Sequence, residues 1–369
     1  MPDGGRRRRA FIGSFTTAGG PGIVTADLGP DDGALTVLGA VNGLPDPSCL
    51  ALSPDGRTLY AVSETAEGAV AAFRLPGTEG GAGDGAGAGD DMPEQAGPAV
   101  PVHGNGPTHL CLFAGHVLTA NYGSGSVTAV PVRADGSLAR SPSGVFPHTG
   151  PQGRQRPRAH QVQPDPSGRW AVAVDLGTDS VRVYTLADGT PAPHSEMVLR
   201  AGSGPRHLAF HPDGTRAYLL HELSPTLTVC RWDAAEGTLR PLAEIPVLPG
   251  VPSGDAYPSG VAVSPDGRFV WTATRGEDVL SVFAVVDRPD GDDGDDRVAG
   301  TDRTPGLRLI TTVPCGGHWP RALVESHGFL YVANERSGDV TWFAIDPDTG
   351  TPRRRGSIPV TAASCVVVG

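Results

Sequence analysis

The stretch PRHLAFHPDGTRAYLLHE, Pro205–Glu222, decides the fold. Apolar and polar residues alternate on either side of a Pro-Asp-Gly turn, the pattern of two half-buried strands joined as a hairpin. PSCLALSPDGRTLYAVSE (Pro47–Glu64), AHQVQPDPSGRWAVAVDL (Ala159–Leu176) and PSGVAVSPDGRFVWTATR (Pro258–Arg275) repeat it at full length. PTHLCLFAGHVLTANY (Pro107–Tyr122) and PRALVESHGFLYVANE (Pro320–Glu335) repeat it with a shorter turn. The closing glycines stand at 56, 115, 168, 214, 267 and 328, a spacing of 46 to 61 residues. That period is propeller-like, stretched where insertions occur. A third alternating segment follows each hairpin, such as GSVTAVPV or DSVRVYTL, and a turn such as RADGSL leads to a fourth.

The termini supply a further unit. AASCVVVG (Ala362–Gly369) matches the first strand, and AFIGSF and GIVTADL match the second and third. Sharing one blade between the two ends closes a ring and removes exposed strand edges. The sequence therefore predicts an all-β fold, one seven-bladed β-propeller of four-stranded blades over residues 10–369. Residues 1–9 read as a disordered N-terminus. The low-complexity run at 77–101 and the acidic run at 287–306 read as disordered loop insertions.

Composition narrows the function. The chain has 369 residues, 52 of them glycine and 36 proline, which suits short strands and many turns. A net charge of −11 repels nucleic acid and anionic lipid, so neither is an expected partner. All 29 basic residues are arginine, which excludes Schiff-base chemistry, a pyridoxal phosphate lysine and a Walker A loop. The five cysteines are far apart and form no C-x-x-C, so neither a disulfide framework nor a zinc site is expected, and a reducing cytoplasm fits. Arg6–Phe15 could pass for a twin-arginine signal, but no apolar segment follows it. No apolar run is long enough to span a membrane. The expected state is a monomer.

The repeat allows positions to be compared between blades. Ser48, Thr108, His160, Arg206, Ser259, Arg321 and Ser364 stand at the entry to each first strand. Glu64, Tyr122, Leu176, Glu222, Arg275 and Glu335 stand at the exit of each second strand. In an antiparallel hairpin these positions are neighbours, so all lie on the rim opposite the Pro-Asp-Gly turns. The first strand of a blade lines the central channel. His160, Arg206, Glu222 and Arg275 are thus expected to meet at its mouth as the catalytic group. Arg321, His109, Asn121, Asp175 and Arg158 are the candidates for substrate contact.

Plainer readings stand beside these. Arg206 and Glu222 could form a simple structural ion pair. Strand alternation with Arg206 points His207 toward the neighbouring blade, in a structural role. His211 sits by the far turn. Asp175 could cap the turn that follows it, and Asn121 and Asn334 could form turns. The cysteines read as packing residues.

The chain resembles the lactonase family of seven-bladed propellers, which includes propeller-type bacterial 6-phosphogluconolactonases and fungal 3-carboxy-cis,cis-muconate lactonizing enzymes. GPTHLCL…ANYGSGSV, HQVQPDPSG…VDLGTDSVRVY, GPRHLAFHPDG…HELSPTLTV, PSGVAVSPDGRFV…TRGEDVLSVF and PRALVESHGFLYVANERSGDV carry the resemblance across nearly the whole chain. It implies catalytic roles for His160, Arg206, Glu222 and Arg275. One position departs from the pattern: many members read PHAH where this chain reads PRAH, so Arg158 replaces a histidine.

The leading expectation is metal-free hydrolysis of a sugar-type lactone resembling 6-phosphogluconolactone, without a cofactor. Arg206 and Arg275 would hold an anionic group and the oxyanion. His160 or Glu222 would act as base on water. Glu222 beside Arg206 is expected to stay ionised, which favours His160 as the proton shuttle. A second reading is a lactonizing cycloisomerase, which would use the same groups for ring closure. A third is a non-enzymatic scaffold or ligand-binding propeller, which would keep Arg206, Arg275 and His160 more than ~10 Å apart with no shared pocket. A calcium-dependent gluconolactonase would need several Asp, Glu and Asn oxygens around the channel.

Overall fold

A computed structural model describes residues 8–76, 92–150, 156–252, 254–286 and 306–369. Seven antiparallel sheets form seven blades, six of four strands and one in which the outermost strand is split. Numbering blades from Pro47, the inner strands are Leu50–Leu52, Pro107–Phe113, Ala159–Pro164, Pro205–Phe210, Tyr257–Val263, Pro320–Ser326 and Ala363–Val368. Neighbouring inner strands touch all round, and that of blade 7 reaches that of blade 1. In blade 7, Ala363–Val368 pairs with Arg9–Ser14 from the other end of the chain. The backbone N–H of Arg9 donates to Gly369 at 3.0 Å, and that of Gly369 donates to Arg9 at 2.9 Å. Arg9 therefore belongs to the fold, one residue before the expected start. Residues 1–7 lie outside the described residues.

The core is divided as a propeller requires. Seven apolar clusters occur among the described residues, one at each interface between adjacent blades. Trp271, Tyr60, Tyr184, Tyr218 and Tyr331 are among the largest side chains that are wholly buried. Each large apolar side chain so placed contributes about 1.5–3 kcal/mol, so the ring is held by its blade-to-blade seams. The Pro-Asp-Gly turns are built as their residues dictate. Gly56, Gly214 and Gly267 take φ of 65°, 71° and 75°, which glycine adopts without strain. In blades 1 and 5 the serine before the turn also bonds the turn aspartate, Ser53 to Asp55 and Ser264 to Asp266, both at 2.6 Å.

One insertion is shorter than expected. Residues 77–91 lie outside the described residues, but Glu94–Gln95 and Val100–Pro101 both pair with the third strand of blade 1 and complete it. Val100 and Val102 join the apolar seam with blade 2, and their burial holds this segment in place. In the second insertion, 287–305 lie outside the described residues, and Gly306 opens a strand of blade 5.

Candidate active site

In six blades the register between the first two strands slips by one residue at the entry. The residue left over is Thr108, His160, Arg206, Ser259, Arg321 or Ser364. A bulge of this kind re-aims the extra side chain and breaks local alternation. The exit residue then ties back to the rim. The backbone N–H groups of Glu64, Tyr122, Leu176, Glu222 and Glu335 donate to the carbonyls of Asp46, Gly106, Arg158, Gly204 and Trp319, at 2.7 to 3.0 Å. Entry and exit residues therefore share one end of each blade.

Glu222 organises the centre of the site. Its Oε2 lies 3.0 Å from Arg206 Nε and 3.1 Å from Arg275 Nη2. Arg206 and Arg275 are 3% and 8% exposed in their side chains, and Glu222 is 19% exposed. Arg206 also donates to the backbone carbonyl of Ser259, and Arg275 Nε donates to that of Tyr257 at 3.1 Å. Arg321, from blade 6, pairs with Glu335 at 3.1 Å and Glu64 at 3.5 Å. One carboxylate thus serves two guanidiniums on blades 4 and 5, and two carboxylates serve one guanidinium on blades 6 and 1. The mouth is cationic on the first side and anionic on the other.

Three histidines stand beside the cationic half. The ring of His207 meets His160 at 5.2 Å and His109 at 5.7 Å, both edge to face. His207, expected to point toward a neighbouring blade, meets His160 of blade 3, and with Arg206 Nη1 lying 3.4 Å from its Nε2 it joins the cluster. Burial, then the charge of Arg206, holds His160 well below the ordinary histidine range, and the same two causes act on His207. Burial brings His109 down to about 4. All three imidazoles are neutral at neutral pH, and His160 Nδ1 is buried with no hydrogen-bond partner. Burial, then repulsion from Arg275, brings Arg206 down to about 9, so it remains cationic at neutral pH. Burial also opposes the charge on Arg321, but Glu64 and Glu335 outweigh it. Burial pushes Glu64 up.

Of the expected substrate contacts, Arg321 and His109 fall within this cluster. Arg158 lies at its edge. Its guanidinium donates to the Tyr122 hydroxyl at 2.5 Å, and the Tyr122 ring meets His160 at 5.7 Å. Asn121 and Asp175 do not reach the cluster with a free polar atom. Asn121 donates to Ser126 and Thr128 and accepts from Thr119, at 2.9 to 3.0 Å. Asp175 lies 2.5 Å from His148 Nδ1 and accepts from the backbone of Arg158, Gly177 and Thr178. Burial opposes the charge of Asp175, but these partners hold its carboxyl below the usual range. Both residues brace the fold. A roomy cleft on the turn face, lined by Arg57, Arg74 and Arg133, contains none of the candidate residues.

Sequence reasoning passed over Glu64, Glu335, His207 and Trp319. Glu64 and Glu335 occupy the same exit position that singled out Glu222, so the rule was available for them.

Fold and site together define a seven-bladed propeller with a desolvated arginine, glutamate and histidine cluster at one mouth of its channel. The chain belongs to the lactonase family: the family model described as lactonase, 7-bladed beta-propeller, matches residues 9–368. It is 31% identical over 348 residues to a 6-phosphogluconolactonase of Bacillus subtilis, covering 92% of each chain. Among solved structures, it matches a periplasmic gluconolactonase of Pseudomonas aeruginosa with a TM-score of 0.83 and 29% identity, covering 98% of this chain and 99% of that one. A Lactobacillus plantarum protein matches with a TM-score of 0.83 and 26% identity, over 98% and 99% of the two chains. Family and relatives identify a lactonase.

Proposed function

We propose that this mouth opens a sugar-type lactone that carries a phosphate or carboxylate, with 6-phosphogluconolactone as the reference substrate. The observation that carries the reading is the shared carboxylate. Glu222 fixes Arg206 and Arg275 side by side, yet leaves the pair one positive charge in excess, next to a neutral His160. Such a pair suits bidentate contact with an anion and with the oxyanion of a tetrahedral intermediate. His160 takes a proton from water as the water adds to the lactone carbonyl. The ring C–O bond then breaks, and the leaving alkoxide recovers that proton from the imidazolium. The product is an open-chain hydroxy acid, and its carboxylate is the new anion. Glu222 spends its Oε2 on two arginines, which favours a positioning role for it and leaves the base to His160.

The scaffold reading asked for scattered groups, whereas Glu222 joins two blades directly. The ring-closing reading finds no support in the relatives. A cytoplasmic monomer remains our reading, consistent with five free cysteines whose thiols burial pushes up. The test is proton release from 6-phosphogluconolactone by the full chain, with and without chelator. Turnover well above spontaneous hydrolysis is expected, and His160→Ala should lower kcat by about 10²–10⁴-fold. A rate equal to the spontaneous one, or an unimpaired His160→Ala, overturns the reading.

A further inference from the structure

Trp319 stands where the fold gives bulky residues least welcome. Two positions before the entry residue, the backbone is left-handed in five blades, with φ of 46° at Asp46, 57° at Gly106, 59° at Gly204, 66° at Trp319 and 53° at Ala362. Blades 2 and 4 meet this need with glycine, which pays no penalty there. Blade 6 places an indole there instead. A large side chain in this region is strained, and such strain persists only where its surroundings over-determine it.

The surroundings do so. The Trp319 backbone N–H donates to Asp278 Oδ1 at 2.8 Å, and Asp278 Oδ2 also holds His318 Nδ1. The Trp319 carbonyl accepts from Glu335 at 3.0 Å. The indole so fixed, half-buried, lies beneath two guanidiniums. Arg336 Cζ is 3.3 Å from the ring centroid and Arg275 Cζ is 5.6 Å from it. Tyr257, whose carbonyl accepts from Arg275, has its own ring 6.1 Å away. Arg275 therefore has three fixed points: Glu222, the Tyr257 carbonyl and the Trp319 ring.

We propose that Trp319 is a positioning residue for Arg275, holding that guanidinium at the angle that selects anionic over neutral lactones. The proposal rests on the reading of Arg275 as an anion clamp. It follows from geometry: a guanidinium held at Glu222 and the Tyr257 carbonyl can still hinge about the line through those two contacts, whereas a ring face fixes its plane.

The experiment compares kcat/KM for 6-phosphogluconolactone with that for glucono-δ-lactone, the neutral ring. Trp319→Gly, the residue of blades 2 and 4, should lower this ratio about tenfold, chiefly through KM of the anionic lactone, as loss of a desolvated cation–π contact implies. Trp319→Phe should keep the ratio within about threefold of the parent. An unchanged ratio in Trp319→Gly overturns the proposal, as does an equal loss on both lactones in a protein that keeps its melting temperature. Should Trp319→Gly fold poorly, Trp319→Ala, the residue of blade 7, replaces it. Calorimetric titration of the full chain with inorganic phosphate separates this proposal from the hydrolysis reading. Phosphate binding weakened about fivefold or more in Trp319→Gly and kept in Trp319→Phe supports the role of Trp319 even if neither lactone is opened. Equal phosphate affinity in all three proteins refutes it.

Discussion

Glu222→Gln is the most informative single change. It preserves shape and one acceptor oxygen but removes the charge that Arg206 and Arg275 share at 3.0 and 3.1 Å. Both guanidiniums are largely buried, so water replaces the lost carboxylate only in part. Arg275 already opposes the charge of Arg206, and Glu222→Gln removes the largest compensation for that repulsion. Removing one partner of a buried ion pair costs about 3–5 kcal/mol, and the amide oxygen places this change near 3. At about 2.1 cal/mol/K per residue, a chain of 369 residues loses about 4 °C of melting temperature for that cost. The catalytic loss should be larger. Two arginines free to part no longer present a paired site, and misplacement of this kind costs about 10²-fold in kcat/KM. Calorimetry and lactone hydrolysis on the same preparation check both numbers. If Glu222→Gln keeps kcat/KM within about threefold and melts within about 1 °C of the parent, Glu222 organises nothing and the account of the mouth fails.

Acid should destabilise the fold earlier than carboxylate titration alone implies. His109 and His221 titrate at about 4 in the folded chain, and His160 and His207 lie well below 6.5. Between about pH 4 and 6.5 the unfolded chain therefore binds more protons than the folded one, and stability falls as pH falls through that window. His109 and His221 each contribute about 2 kcal/mol of loss from pH 7 to pH 5, and His160 and His207 add loss of the same sign, measurable together as a fall in the urea midpoint. A midpoint that does not move between pH 7 and 5 refutes neutral burial of these rings. Asp175→Ala should cost at least about 3 kcal/mol, because it strips His148 and three backbone N–H groups of their acceptor. The kcat of its folded fraction should stay within about threefold of the parent, and a selective loss of kcat at unchanged stability would return Asp175 to the chemistry.

The ring was legible because the repeat was legible. Six copies of one hairpin set the blade count, and pairing of the chain ends set the closure. Entry and exit positions followed from antiparallel pairing alone, which is why Arg206, Glu222, Arg275 and His160 could be named together. What stayed hidden depended on backbone detail. A bulge leaves no signature in alternation, so the approach of Arg206 to His207 could not be read. The left-handed backbone at Trp319 cannot be inferred from a tryptophan. Asp175 caps the turn that follows it, as its sequence setting suggested, but its partner His148 comes from another blade and could not be read. Gly77–Pro101 reads as low complexity throughout, yet Val100 has an apolar seam waiting for it.

The bulge also explains how one repeated frame yields both plain and reactive blades. Where the entry residue is small, its hydroxyl can be spent on the neighbouring blade. Thr108 donates to the carbonyl of His160 at 3.0 Å, and Ser259 donates to that of Pro320 at 2.5 Å. Those bonds tie the ring together at its inner edge. Where the entry residue is Arg206 or Arg321, the same bulge aims a side chain too long to stop at the neighbour, and its charge reaches carboxylates at the exit positions of its own and other blades. Backbone pairing does not change between the two cases, because the extra residue is unpaired in both. The chemistry of the mouth can therefore vary with entry and exit side chains while strand register stays fixed, and the sequence repeat and the functional site are two consequences of the same slip in pairing.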